Sequence, residues 1–174
     1  MPGQPATRVA GPPPATWPYL MLALVIIVLD QVSKYLVIDH FEYGERLPVI
    51  PGFFDLTLLY NPGAAFSFLA GHDGWQRWFF ALIAIVASGF FLYLIQTSRG
   101  RKVFSTALGL ILGGAVGNLI DRLLLGHVTD FLLFYQEGSW HFPAFNLADA
   151  AITLGAILMI GEELLPLLRR RSPS

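Results

Sequence analysis

Residues 103–122 read VFSTALGLILGGAVGNLIDR. Eighteen of them, Val103 to Ile120, carry no charge, and the run then stops on Asp121 and Arg122. A helix needs about 20 predominantly apolar residues to cross the hydrocarbon of a bilayer, so this segment predicts a membrane span. Gly109, Gly113 and Gly117 recur every four residues. On a helix they form a small-residue stripe against which a neighbouring helix packs closely. Asp121 is the next member of that series, which points its carboxylate into a helix bundle. Asn118, one turn earlier, and Arg122 beside it stand as its expected partners.

Similar runs lie on either side. Trp17 to about Val37 is uncharged until Asp30, Trp78 to Ile95 is uncharged throughout, and Leu147 to about Leu165 is interrupted by Asp149, Glu162 and Glu163. The chain of 174 residues is 55% hydrophobic and only 13% charged, with a mean hydropathy of +0.59; soluble domains carry about 25% charged residues. The expected fold is an integral membrane protein, mainly α, with a four-transmembrane-helix bundle. A Pro/Gly/Ala-rich tail over residues 1–16 lacks an apolar face and reads as disordered. The domain proper is expected over 17–168, with a basic C-terminus over 169–174. The first apolar run has no cleavage site followed by a polar mature domain, so it reads as a retained span.

Positive charge sets orientation, because cytoplasmic loops carry the excess of Lys and Arg. Arg8, then Arg99, Arg101 and Lys102, then Arg169, Arg170 and Arg171 fall on one side of a four-span chain. Both termini are therefore expected in the cytoplasm and the longer connections, about 38–75 and 121–146, outside. FFDLTLLY, residues 53–60, places polar side chains at a spacing of two, the period of a strand. HVTDFLLFYQEGSWHFPAF, residues 127–145, reads as two extended segments about a Glu-Gly turn. EYGERLPVIPGFF, residues 42–54, reads as a turn-rich approach. Together they predict a small extracytoplasmic cap containing β structure.

With that orientation the polar residues of four segments gather at one membrane face. Asp30 and Lys34 end the first span, Asn61 precedes the second, Asn118, Asp121 and Arg122 close the third, and Asn146 and Asp149 open the fourth. Several have a structural explanation. Asp30 and Lys34 are spaced as an i,i+4 ion pair, Asp121 has polar neighbours, and Asn146 with Asp149 resembles a helix capping box. Asp130 has none but the nearby His127 in an apolar extended stretch. The charge balance of −1 and the lack of a basic tract give no footprint for nucleic acid. The absence of cysteine excludes thiol chemistry within these 174 residues. No H-E-x-x-H or G-x-S-x-G motif occurs, the four histidines lack metal-ligand spacing, and no cofactor or metal is expected. Carboxylates remain. Two that share a site hold one proton between them near neutrality, so one activates water while the other donates to a carbonyl. Asp130 and Asp149, on separate elements at a wet membrane edge, suit that chemistry. A transporter or proton path using the same acids is the alternative, but no chain of acids crosses the bilayer.

Five blocks in order, DQVSK (30–34), NPGAAFSFL (61–69), GGAVGNLIDR (113–122), GHVTDF (126–131) and FPAFNLADAAI (142–152), make the chain resemble the lipoprotein signal peptidase (signal peptidase II) family. The resemblance implies an aspartic endopeptidase of the bacterial inner membrane. It would cut prolipoproteins just before a diacylglyceryl-modified cysteine, near the periplasmic face. It implies Asp130 and Asp149 as the catalytic pair and Asp30, Lys34, Asn61, Gly63, Asn118, Asp121, Arg122 and Asn146 as substrate-binding or supporting positions. The implied partners are lipid-modified signal peptides, membrane lipids and globomycin-type inhibitors.

Overall fold

The computed structural model describes residues 15–63, 75–98 and 100–170. Most of the expected N-terminal tail (1–14), residues 64–69 of the NPGAAFSFL block, His72, Arg99 and the last four residues lie outside them. Helix α1 spans Trp17–His40, strands β1 and β2 Arg46–Ile50 and Phe54–Asn61, and helices α2 and α3 Trp75–Thr97 and Lys102–Leu124. Strands β3 and β4 follow at Val128–Gln136 and Trp140–His141, and helix α4 at Leu147–Arg170. Each expected span is present as a helix, longer than its charge-free run. Three of the helices, α1, α2 and α3, are long and apolar enough to cross a membrane.

Helix α3 is the axis of the bundle and packs against the other three. Most of its apolar window (61%) is buried, against 22% in α1 and in α2. Glycine makes this possible on two faces. A Cβ on Gly113 would sit 2.8 Å from the Ala23 carbonyl oxygen of α1, and one on Gly117 2.6 Å from Asp30 Oδ2. On the other face a Cβ on Gly114 would collide with the Ala148 carbonyl oxygen of α4, and one on Gly155 of α4 would sit 2.7 Å from the Ala107 carbonyl oxygen. Backbone approach of this kind substitutes van der Waals contact for the hydrophobic drive that lipid does not supply. Ala23, Ile95, Leu108 and Leu112 form a core where α1, α2 and α3 meet. The opposite side of α1 is exposed and apolar: Val25, Val28, Leu29 and Val32 each keep about half their surface free. An apolar stripe of that extent marks contact with lipid.

The strands form one antiparallel sheet in the order β1-β2-β3-β4. The expected strands of FFDLTLLY and HVTDFLLFYQ are there, with a turn at 137–139 before β4. The segment read as a turn-rich approach contains a further strand, β1, whose five residues are all exposed. An edge strand with Pro48 in it shows no burial alternation, so the period-two signal was missing. Val37, Leu58 and Phe131 form a small core that seats the sheet on α1. Two features aim β3 at the bundle. Gly126, at φ +85°, ends α3 and turns the chain back, and the β2–β3 register shifts between Leu56 and Leu59, beside the Leu59–Asp130 pair. Residues 142–145 then return along β3, where Phe145 exchanges backbone hydrogen bonds with Leu132, and deliver Asn146 to the start of α4.

Candidate active site

Asp130 lies on β3 with 3% of its surface exposed, and Asp149 lies half-buried in the first turn of α4. Two asparagines connect them. Asn146 Nδ2 donates to Asp130 Oδ1 at 2.7 Å, and Asn146 Oδ1 accepts the Asp149 backbone N–H at 2.9 Å. Asn118 Nδ2 donates to Asp149 Oδ1 at 2.8 Å. The second oxygen of Asp130 accepts from Asn61 Nδ2 at 3.1 Å. The expected capping box is real: the Asn146 N–H points back to Asp149 Oδ2 at 3.4 Å. Capping and membership in the site are thus the same geometry seen from two sides. Burial pushes the Asp130 carboxyl up to about 7, helped by the Asp149 carboxylate and opposed by hydrogen bonds from Asn61 and Asn146.

Asn61 is held by its own turn. Its Oδ1 accepts the Gly63 N–H at 2.9 Å. Gly63 has φ +108°, and a Cβ there would strike the Phe80 ring, so a side chain is excluded by both backbone and space.

Beneath the asparagines is a buried charge cluster. Lys34, 2% exposed, lies 2.8 Å from Asp30 and 3.0 Å from Asp121. Its ammonium also donates to Asn118 Oδ1 at 3.0 Å, and Asn146 Nδ2 shares that same oxygen at 3.2 Å. With its oxygen engaged by these donors, the Asn118 amide must present its NH2 to Asp149. Asp30 accepts the Ala148 N–H at the start of α4 (2.9 Å), where the helix dipole favours an anion. Asp121 accepts the Thr129 N–H at 3.0 Å and Gln31 Nε2 at 2.9 Å. The cluster therefore ties α1, α3, α4 and β3 together through side chains whose donors and acceptors are matched.

Two expectations need correction. Neither expected partner bonds the Asp121 carboxylate: the Asn118 side chain turns to Lys34, Asn146 and Asp149, and Arg122 donates to the Asn118 carbonyl at 3.2 Å, its guanidinium 5.4 Å from the Phe80 ring centre. The 100° step from residue 121 to 122 on a helix turns Arg122 to a different face. Nor is Asp30–Lys34 a self-contained pair, since one lysine serves two buried acids. Gln31 belongs to the cluster too, bonding Asp30, Asp121 and the Gly117 carbonyl; its sequence signal is an amide inside an apolar span. Asp55, buried with Arg46 at 2.8 Å and the Tyr135 hydroxyl at 2.9 Å, is a further polar contact, within the sheet.

Apolar spans, a half-lipid-facing bundle and hydrogen-bonded carboxyls at the end of it define a membrane protein with an enzyme-like polar site. The fold agrees: two solved structures of bacterial membrane enzymes superpose on it. One is 33% identical (TM-score 0.76, covering 85% of this chain and 93% of that one) and the other 30% identical (TM-score 0.78, covering 95% and 98%). Residues 22–165 match the family model described as Signal peptidase (SPase) II. The lipoprotein signal peptidase of Cupriavidus necator is 52% identical over 157 residues, 90% of this chain and 87% of that protein. That of Neisseria meningitidis serogroup C is 53% identical over 142 residues, 82% and 86%. The chain belongs to the signal peptidase II family.

Proposed function

We propose that this membrane peptidase removes signal peptides from diacylglyceryl-modified prolipoproteins, cutting just before the lipidated cysteine, with Asp130 and Asp149 as an aspartic dyad. The observation that carries the reading is the pair of asparagine bridges: Asn146 binds both aspartates and Asn118 orients the one nearer the surface. Asp130, enclosed and raised to about 7, holds the shared proton. Asp149, more accessible, takes a proton from water as the oxygen attacks the scissile carbonyl carbon. Asp130 donates its proton to the carbonyl oxygen, giving a neutral tetrahedral diol. On collapse Asp149 gives its proton to the leaving nitrogen, the C–N bond breaks, and Asp130 recovers a proton from the diol hydroxyl. Atoms and charge balance without a covalent enzyme intermediate.

In this reading residues 17–168 form the protease domain and α4 is the fourth span. Both termini lie in the cytoplasm of a bacterial inner membrane, and the sheet forms a cap on the periplasmic side. Asn61 and Arg122 face the substrate backbone, while Asp30, Lys34, Asn118, Asp121, Asn146 and Gly63 hold the site. Globomycin-type inhibitors would compete for it. The test is cleavage by the purified chain in liposomes with a chelator present. A diacylglyceryl-modified precursor is expected to yield one product, beginning at the lipidated cysteine, by mass spectrometry. No cleavage, or equal cleavage of the unlipidated precursor, would reject the proposal.

A further inference from the structure

Asp149 is the meeting point of two separate apolar grooves on neighbouring faces of α4. One is a trough of about 370 Å³ with α3 as its floor and α2 and α4 as walls. The other, about 600 Å³, lies between the outer face of α4 and the irregular chain 142–145. Asp149 lines both. The proposed substrate has the matching shape, because it is apolar on each side of the scissile bond. An apolar signal helix precedes that bond, and acyl chains hang from the residue immediately after it.

We propose, resting on the function above, that α4 divides the substrate. The signal-peptide helix occupies the α2/α3/α4 trough, and the acyl chains of the modified cysteine occupy the outer groove.

The lining of each groove decides which limb it takes. In the trough Ala84, Ala87 and Ala115 are small, and small residues let another helix approach closely. Phe80 and Phe91 mark its ends on α2, roughly 16 Å apart at about 1.5 Å per residue, a length suited to an apolar helix. Its polar end, Asn118, Arg122 and Asp149, lies where that helix must unwind to present a peptide bond. The outer groove has small residues too, Ala144, Ala150 and Thr153, but α4 is its one helical wall and the other side is the irregular chain 142–145, so it cannot enclose a helix as the three-helix trough does. Phe142, Leu154 and Ile157 leave it open sideways, each more than half exposed. That suits flexible chains that remain in contact with the surrounding lipid and need no fixed conformation.

The test uses the full-length protein in detergent and two precursors identical in peptide, one with a dipalmitoylglyceryl cysteine and one with a diacetylglyceryl cysteine. Leu154→Trp, which narrows the outer groove at a half-exposed position, is expected to raise KM for the long-chain precursor by about tenfold while leaving the short-chain one unchanged. Ile157→Trp repeats the test one turn away should Leu154→Trp fold poorly. Ala87→Phe, in the trough, is expected to raise KM for both precursors alike. Outer-groove variants without chain-length dependence, or a trough variant that penalises only the long chains, would overturn the division. Wild-type protein that cleaves neither precursor would instead remove the functional reading beneath it.

Discussion

Asp130 and Asp121 are both buried aspartates at the junction of α3 and β3, yet they have different surroundings. Asp121 receives an ammonium, an amide and a backbone N–H; Asp130 receives two asparagine amides and faces a second carboxylate. Asp121→Asn turns an NH2 group toward donors and leaves Lys34 with one acid, a loss on the order of 3 kcal/mol. A lower melting temperature and yield are expected, with residual cleavage scaling with folded protein; a normally stable but inactive variant would contradict this. Asp130 titrates in the opposite sense from an ion-paired acid. Its folded value of about 7 exceeds the unbound 3.8, so the folded chain holds a proton that the unfolded chain releases. Its contribution to stability is complete below about pH 4 and is lost as pH rises through 7. Asp130→Asn also turns an NH2 toward a donor, so the pH trend is the test: its melting temperature relative to wild type should rise from pH 5 to pH 8, and wild-type cleavage should fall as the pH rises through about 7. A relative melting temperature that rose toward acid instead would refute the assigned burial. Thr129 provides a control: its Oγ1 is buried with no hydrogen-bond partner among the described residues. Thr129→Val is expected to be neutral or slightly stabilising, because an unpaired buried hydroxyl costs more than a methyl. Equilibrium unfolding in detergent checks this, and a loss above about 1 kcal/mol would count against it. The candidate aspartates were legible in the sequence because carboxylates beside apolar spans are conspicuous. The direction of the Asn118 amide was not legible, since it depends on Lys34 from a helix 84 positions away.

At the scale of elements, α3 carries the burden. Its four-residue glycine spacing announced close packing, and the Gly109, Gly113, Gly117 stripe does meet α1 as that spacing requires. Gly114, outside the series, was invisible as a contact because its partner, the Ala148 carbonyl, belongs to α4. Gly114→Ala and Gly117→Ala should each destabilise by about 1–3 kcal/mol, since neither a helix backbone carbonyl nor the salt-bridged Asp30 can give way. Gly161→Ala, with open space around it, should not. Equal melting temperatures for all three would contradict the packing. Strand β1 escaped sequence reading for the complementary reason: fully exposed and containing proline, it carries no periodic pattern, and only pairing with β2 makes it a strand.

For the molecule as a whole, polar chemistry is segregated at two ends. The site lies at one end; at the other, Arg101 before α3 pairs with Glu162 and Glu163 on α4, which offsets part of the charge of the acids that made the fourth apolar run the weakest. The positions of the four helices were legible from the lengths of the apolar runs, whereas the joining of both acids to one arginine required the fold. Because the sequence has no cysteine, single replacements report topology cleanly. Glu137→Cys, in the β3–β4 turn, should react with an impermeant maleimide added outside spheroplasts, and Ser98→Cys only after lysis; the reverse pattern would invert the proposed orientation.

The central claim, that two carboxylates hydrolyse the peptide bond together, is tested most directly by cleavage of a diacylglyceryl precursor with purified Asp130→Asn and Asp149→Asn. Each variant should keep its fold by thermal melting and lose turnover by at least on the order of 10²–10⁴-fold, the scale of general acid–base catalysis. Near-normal turnover in either folded variant would show that the dyad is not the catalyst.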